Sequence, residues 1–438
     1  MNGKRRLLPG TCKMNCITQV AVLKGYFNEK LKGEPRKAGF MQKVRYVKDH
    51  HKLKATVLSY ILVSLAGLAT DIYLPSMPAM ATSLHVSDQQ VQLTLSSFLI
   101  SYGISQFFVG SLLDTYGRYV LSMISLVLFS TTSFLIAASE NIDFIVLLRV
   151  VQGINIGFIA VAKRAFFVDV YEGDKRKYYV SIITIVWSVA PIVAPFLGGY
   201  LEHFFSWRAN FYFLGIYSGL IFICEIFYSG ETLNAFSKFK IKNVLSSYNI
   251  LLTTPAFLTG MGMAGVSIGI VMIYGLSGAF ILEHRMGYSP VAAGYAALVL
   301  GIAWMCGGFL AKGNIHKPLF KKTFIASFVQ VIIVILMIAE AFFVTNIYTL
   351  VAFAGIIHFM GGFNFTNYFT RNLTMFPNMA GLAAGVTSGG NYIITSLLTY
   401  TIALAIQAQN QKELGLSYAI AVAIIILIVV VFQKRKGT

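Results

Sequence analysis

Long apolar runs separated by short polar breaks occupy the chain from about residue 55 to residue 432. Each run is close to the ~20 residues that an α-helix needs to cross a hydrocarbon core about 30 Å thick. Twelve are read: 55–75, 91–112, 120–138, 144–167, 178–201, 210–229, 255–282, 291–311, 323–343, 348–370, 380–406 and 416–432. The pattern predicts an all-α polytopic membrane protein with no soluble domain. The longest internal break, 230–254, is polar and carries three lysines. It divides the spans into two sets of six. The organisation expected is a basic tail (1–54), a first six-helix bundle (55–229), a linker (230–254), a second bundle (255–433) and a short basic end (434–438). Six is even, so both sets start on the same side, as in parallel repeats related by an axis normal to the membrane.

Charge then orients the chain. The 438 residues are 56% hydrophobic and 12% charged, with a net charge of +18, against about 25% charged in a soluble domain. If the N-terminus is cytoplasmic, 31 of the 35 Lys/Arg fall on the cytoplasmic face. Three, Arg208, Arg285 and Lys412, fall on the other, and Arg149 lies within a span. This is a strong positive-inside signal. It accounts for the net charge without nucleic acid, which is excluded as a partner. It places both termini in the cytoplasm. The tail has no signal-peptide pattern, because the apolar run 17–23 is short and no cleavage site follows. Three readings of it stay open: a disordered basic segment, in part an amphipathic helix on an anionic leaflet, or translation starting at Met41. Cys12, Cys16, Cys224 and Cys306 show no spacing that implies a disulfide or zinc site, so free thiols are expected.

Against that apolar background two charges carry candidate chemistry. Asp71 lies about 25 Å along the first span from Lys54. Pro75, four residues on, cannot donate to the Asp71 carbonyl, and Pro78 repeats the break. A carboxylate beside a freed carbonyl makes a proton or cation site; the alternative is an interfacial Asp opening the outer loop. Arg149, read as the only basic residue inside a span, lies about 10 Å in from Asp143, at a similar depth. An intramembrane Arg must face protein or water. Gln152 shares its face, and Gly153 lets a neighbouring helix approach. Asp71 and Arg149 are therefore expected to communicate, directly, through water or through Gln152. Glu225, near the cytoplasmic end of the sixth span, is read as able to snorkel or to pair with a loop lysine, and Glu340 as near the outer end of the ninth. His358 is mid-span, either a hydrogen-bonded core residue or a relay.

Two further segments are mechanical. Gly110-Ser-Leu-Leu-Asp114-Thr-Tyr-Gly117-Arg118 follows the second span. Its glycine suits close packing, Asp114 can cap a facing helix, and Arg118 can pair across the loop, so the segment is expected to latch the cytoplasmic side. In the fifth span Pro191 and Pro195 each remove a backbone bond, and Gly198-Gly199 removes bulk, predicting a bent helix with a smooth face between halves.

Together these segments resemble the major facilitator superfamily, and within it the twelve-span drug/proton antiporters of the bicyclomycin/chloramphenicol-resistance branch. Thr70-Asp71-Ile-Tyr-Leu-Pro75-Ser-Met-Pro78 is similar to that branch's first-helix signature, and Gly110–Arg118 to the superfamily loop motif. Arg149-Val-Val-Gln152-Gly153 resembles the fourth-helix motif linked to proton coupling, and Ala194-Pro195-Phe-Leu-Gly198-Gly199 the fifth-helix antiporter motif. Trp207-Arg208 matches the segment after it, and Pro377-Asn-Met-Ala380-Gly381 the start of helix eleven. Thr115, Tyr119 and Ala194 depart from the usual residues, and 308–313 keeps little of the repeated loop motif.

The resemblance implies two pseudo-symmetric six-helix bundles that rock about a central site. It implies a proton-coupled exporter of amphipathic or aromatic small molecules, in the bacterial inner membrane, functional as a monomer. Burial and Arg149 act in opposite directions on the Asp71 proton. The second half lacks deep charges and offers Tyr274, Trp304, His358, Phe363, Asn364, Phe365 and Asn367 instead. Tyr102, Tyr274, His358 and Asn364 are the expected substrate contacts. A dedicated exporter of one metabolite, such as a siderophore or amino-acid derivative, is the close alternative, and a non-transporting receptor or scaffold a remote one. A lipid-modifying enzyme would need clustered His, Asp or Glu near one leaflet, and none occurs, so neither enzymatic activity nor a cofactor or metal is expected.

Overall fold

The computed structural model describes residues 46–233, 248–376 and 379–434. These residues form twelve long helices: α1 (Lys52–Asp71), α2 (Asp88–Tyr116), α3 (Arg118–Ala138), α4 (Ile142–Val170), α5 (Gly173–Phe204), α6 (Trp207–Tyr228), α7 (Pro255–Phe280), α8 (Pro290–Gly313), α9 (Leu319–Glu340), α10 (Ile347–Met375), α11 (Ala380–Ile406) and α12 (Gln411–Lys434). Eleven are apolar and long enough to cross a bilayer. The twelfth, α5, runs for 32 residues and opens on the charged Asp174. Cys12, Cys16, Pro377, Asn378 and most of the tail and linker lie outside the described residues; Cys224 and Cys306 are free thiols.

Polar residues start and stop these helices. The Ser87 hydroxyl accepts from the Gln90 N–H, and the Gln90 side chain accepts in return from the Ser87 N–H, a capping box before α2. Asn346 and Thr349 repeat it before α10. The α2–α3 corner is a single residue, Gly117, at φ 96°, a conformation that a Cβ disfavours.

The helix pairings reveal the repeat. In the first half α1 packs on α4, α5 and α6; α2 on α4; and α3 on α4 and α6. Every one of these recurs six helices later: α7 on α10, α11 and α12; α8 on α10; α9 on α10 and α12. The two largest pairings that join the halves are α2 with α11 and α5 with α8, and the same six-helix shift interchanges them. One apolar core is centred in each half. Outside the cores Leu147, Leu220, Ile335 and Leu427 are 57–62% exposed, an apolar outer surface of the kind that meets lipid.

Two expectations about the spans need correction. The first span does not end at Pro75. After α1 a 3-10 turn (Leu74–Ser76) leads into a short helix, Met77–Leu84, still packed on the bundle. Nor is Arg149 the only basic residue within a span. At 29 residues α4 is about 43 Å long, far beyond the hydrocarbon thickness, and it carries Lys163 and Arg164 inside the bundle. Lys163 is 4% exposed and forms an ion pair with the fully buried Glu225 of α6.

Candidate functional site

A cavity of about 1240 Å³ separates the halves. Its deep end is walled by Thr70, Asp71 and Leu74. It runs along α5, α7, α8 and α10 to the face that carries Lys312, Lys317 and Lys322, called here the basic face. At the opposite face α5 and α8 close it. A Cβ on Gly199 would lie 2.5 Å from the Pro290 carbonyl oxygen, and one on Gly294 2.8 Å from that of Pro195. The Tyr200 and Tyr295 hydroxyls meet at 3.1 Å. On the other flank α2 and α11 touch along most of their length. Gly103 and Gly389 abut backbone to backbone, and Ser396 donates to the Ser96 carbonyl at 2.8 Å. The cavity therefore widens toward the basic face between α5, at Ser181 and Val189, and α8, at Phe309 and Lys312.

Asp71 is the only carboxylate lining this cavity among the described residues. It is the last residue of α1 and is 4% exposed, and its Oδ1 has no hydrogen-bond partner. Pro75 prevents the helix from continuing. Ser76 N–H donates to Tyr73 O instead, at 2.9 Å, and so leaves the Ile72 carbonyl without its helical partner. Gly198 of α5 packs on that carbonyl so closely that a Cβ would lie 1.5 Å from the oxygen. A Cα–H donor can approach there, where no side chain fits. Pro191 packs in the same way on Gly67, 2.8 Å from its Cβ position.

Arg149 lies behind α1, fully buried, and outside the cavity lining. Its Nη2 donates to the Ala69 carbonyl at 3.1 Å and Nη1 to Gln152 Oε1 at 2.9 Å. Gln152 is held in turn by donating to Ser133 Oγ at 2.8 Å. The guanidinium sits 4.2 Å from the Phe98 ring centroid and 4.7 Å from that of Tyr73, a cation–π setting that compensates its burial. No ion pair to a carboxylate forms at Arg149 among the described residues. The two charges thus share a depth, joined through the Ala69 carbonyl two residues before Asp71. Gly153 serves the packing foreseen for it, its Cβ position 2.1 Å from Ser101 Oγ of α2.

The remaining candidates divide. Tyr274 and His358 line the cavity, His358 Nε2 lying 3.1 Å from the Tyr418 hydroxyl. Tyr102 does not line it. It stands behind Tyr392, ring centroids 4.6 Å apart, and Tyr392 takes the lining position. Asn364 points away, toward Ser327 Oγ at 3.4 Å and Gln330 Oε1 at 3.5 Å on α9, while Phe365 and Asn367 face the cavity. One residue along a helix turns the side chain by about 100°, and the apolar pattern of a membrane helix does not fix that rotation.

In the α2–α3 corner, Arg118 bonds Asp114 at 3.1 Å and pairs with Asp169 at the end of α4. Thr232 also donates to Asp169, at 2.8 Å, and Glu231 accepts from the Tyr119, Thr232 and Leu233 N–H groups. These contacts tie α2, α3, α4 and the segment after α6 together, all within the first half, and they stand formed beside a cavity open to the basic face. Gly110 makes no close packing, since nothing lies within 4 Å of its Cβ position. The sequence left Glu225 to snorkel or to pair with a loop lysine; its partner is Lys163, which the expected span 144–167 already contains, and both side chains are buried.

Comparison with known proteins bears on this architecture. The Major Facilitator Superfamily profile matches residues 59–399. The chain belongs to the major facilitator superfamily. It is a multi-pass membrane transporter of small molecules and not an enzyme. Among superfamily members it is 24% identical over 366 residues to "Multidrug resistance protein D" of Escherichia coli K12, covering 80% of this chain and 90% of that one. It is 28% identical over 259 residues to the "Bicyclomycin resistance protein homolog" of Haemophilus influenzae, covering 59% of this chain and 65% of that one. A crystal structure of a D-xylose-proton symporter superposes with a TM-score of 0.67 at 14% identity, covering 85% of this chain and 97% of that one. That likeness carries the superfamily fold.

Proposed function

We propose that this transporter is a proton-coupled exporter of amphipathic or aromatic small molecules with a broad, multidrug range. It works by alternating access in the bacterial inner membrane, with the basic face and both termini in the cytoplasm. The observation that carries the reading is a cavity sealed at one face and open at the other, whose one carboxylate among the described residues, Asp71, ends a broken helix with its Oδ1 unpartnered. Aromatic and apolar walls at Trp304, Phe365, Tyr274 and Tyr392 suit a hydrophobic solute. The "multidrug resistance" and "bicyclomycin resistance" names of relatives support the substrate range and the direction.

The chain's own groups suggest the cycle. In the conformation open to the basic face, the Asp71 proton leaves toward cytoplasmic water and substrate enters. Rocking about α2–α11 and α5–α8 then closes this side. Opening opposite Gly199 and Gly294 exposes Asp71 to outside protons as substrate departs. Arg149, bonded to the Ala69 carbonyl, holds the end of α1 and keeps a positive charge near Asp71 without occupying the cavity. One chain contains both halves, so a monomer suffices.

The test is Asp71→Asn in everted vesicles loaded by an imposed proton gradient. Proton-driven accumulation of substrate falls to the uncoupler-treated level while the protein inserts normally. Accumulation at wild-type rate and pH dependence would remove the coupling role.

A further inference from the structure

Part of the first half's positive charge on the basic face is paired with carboxylates: Arg118 with Asp114 and Asp169, Lys163 with Glu225, Lys177 with Asp174. Lys52 and Lys54 lie over the Tyr171 and Tyr228 rings, and Arg176 donates to the Tyr171 carbonyl. Arg164 donates to Gln106 Oε1 at 3.2 Å. The second half has no such counter-charges. Its only acidic residues are Glu283, Glu340 and Glu413. Glu283 lies in the π turn that follows α7, Glu340 ends α9 and Glu413 starts α12, so all three lie at the opposite face. Lys312, Lys317 and Lys322 nonetheless line the cavity mouth, beside Arg371. None of the three lysines joins an ion pair among the described residues; Lys322 donates to the Asn314 carbonyl at 3.0 Å. Sidedness of insertion requires cations on this face. It does not require that they line the cavity or lack counter-ions.

Leading inward from these lysines is a run of rings. Phe369 stacks on Phe365 at 5.1 Å, and Phe365 lies 5.5 Å from Trp304. All three line the cavity. From Trp304 to Lys312 is eight residues of α8, about 12 Å. The field is polarised, with cations at the mouth and the Asp71 carboxylate at the deep end. An anion is drawn to the mouth and turned away from the deep end.

We infer that the cavity mouth holds the anionic head of an amphiphile whose aromatic or apolar body lies along Phe369, Phe365 and Trp304. This rests on the exporter reading above and narrows its substrate class. Two sources share this chemistry, a soluble aromatic acid and an anionic lipid headgroup reaching in between α5 and α8.

The test uses a probe pair with one ring skeleton. Anilinonaphthalene sulfonate carries the anion and N-phenylnaphthylamine is neutral. Energy transfer from Trp304 reports binding in phosphatidylcholine nanodiscs, with Trp304→Phe as the background. Lys312→Gln/Lys317→Gln/Lys322→Gln is expected to weaken the sulfonate at least fivefold, to abolish its salt dependence, and to leave the neutral probe within twofold. The Lys→Arg triple at these positions retains sulfonate binding. Unchanged sulfonate affinity in the Gln triple overturns the inference, as does an equal loss of the neutral probe. Where the lysines do control sulfonate binding, adding phosphatidylglycerol assigns the source. Displacement of sulfonate from the wild-type chain points to lipid, and its absence to a soluble acid. Efflux of the neutral probe from wild-type vesicles tests the exporter reading separately. Intact efflux with no lysine effect removes only this inference, whereas no efflux of either probe removes the exporter reading.

Discussion

Gly198→Ala places one methyl group where α5 meets the break in α1. The new Cβ would start 1.5 Å from the Ile72 carbonyl oxygen, whereas an ordinary contact needs about 3.4 Å. The helices must separate by roughly 2 Å, or the carbonyl must turn. The obstacle is backbone, so no rotamer change relieves it. Overpacking of this kind costs about 1–3 kcal/mol, and a backbone clash belongs at the upper end. The same displacement moves the end of α1 that carries Asp71, one residue before Ile72. Detergent-solubilised protein followed by tryptophan fluorescence should unfold about 3 °C lower, and proton-driven efflux should fall at least tenfold. Gly110→Ala is the matched control. Nothing lies within 4 Å of its Cβ position, and alanine favours a helix by about 1 kcal/mol over glycine, so its melting temperature should hold or rise. Wild-type melting and efflux in Gly198→Ala would refute the reasoning, as would an equal fall in Gly110→Ala.

Two further outcomes are expected. Arg149→Lys keeps the charge but cannot span both the Ala69 carbonyl and Gln152 Oε1 as the guanidinium does. Efflux in everted vesicles should drop at least tenfold with expression unchanged, and a wild-type rate would contradict the positioning role. Glu225→Gln strands the buried Lys163 ammonium and should destabilise the chain by about 3–5 kcal/mol. Lys163→Met combined with Glu225→Leu should recover most of that loss in the same melting assay; a double variant as unstable as the single one would count against an ion pair there.

How much was legible in advance follows from what a bilayer imposes on a chain. Hydrocarbon thickness acts on every span alike, so span number was readable from run lengths, and the 380–406 run coincides with α11. Charge sorting between the faces was equally local, because each loop is short. Depth along a helix is simple arithmetic, and it set Asp71 and Arg149 at one level, where the Ala69 contact now joins them. Helix length was less legible, since protein neighbours can bury polar turns beyond the hydrocarbon. Lys163, inside the 144–167 run yet assigned to the cytoplasmic face, is buried on α4 against Glu225.

Rotation and pairing of the helices belonged to the tertiary structure alone. In water an apolar stripe tells a helix which face to bury. In lipid both the bundle interior and the bilayer accept apolar side chains, so that cue disappears. Hence Asp71 faces the cavity while Arg149 lies behind it, Tyr392 takes the wall position expected of Tyr102, and Phe365 rather than Asn364 looks inward. The lysines at the mouth, which join no ion pair among the described residues, belong to both levels. The sequence by itself determined that the second half has no acid on the basic face. Only the packing of α8 against α10 decided that Lys312, Lys317 and Lys322 would line the cavity.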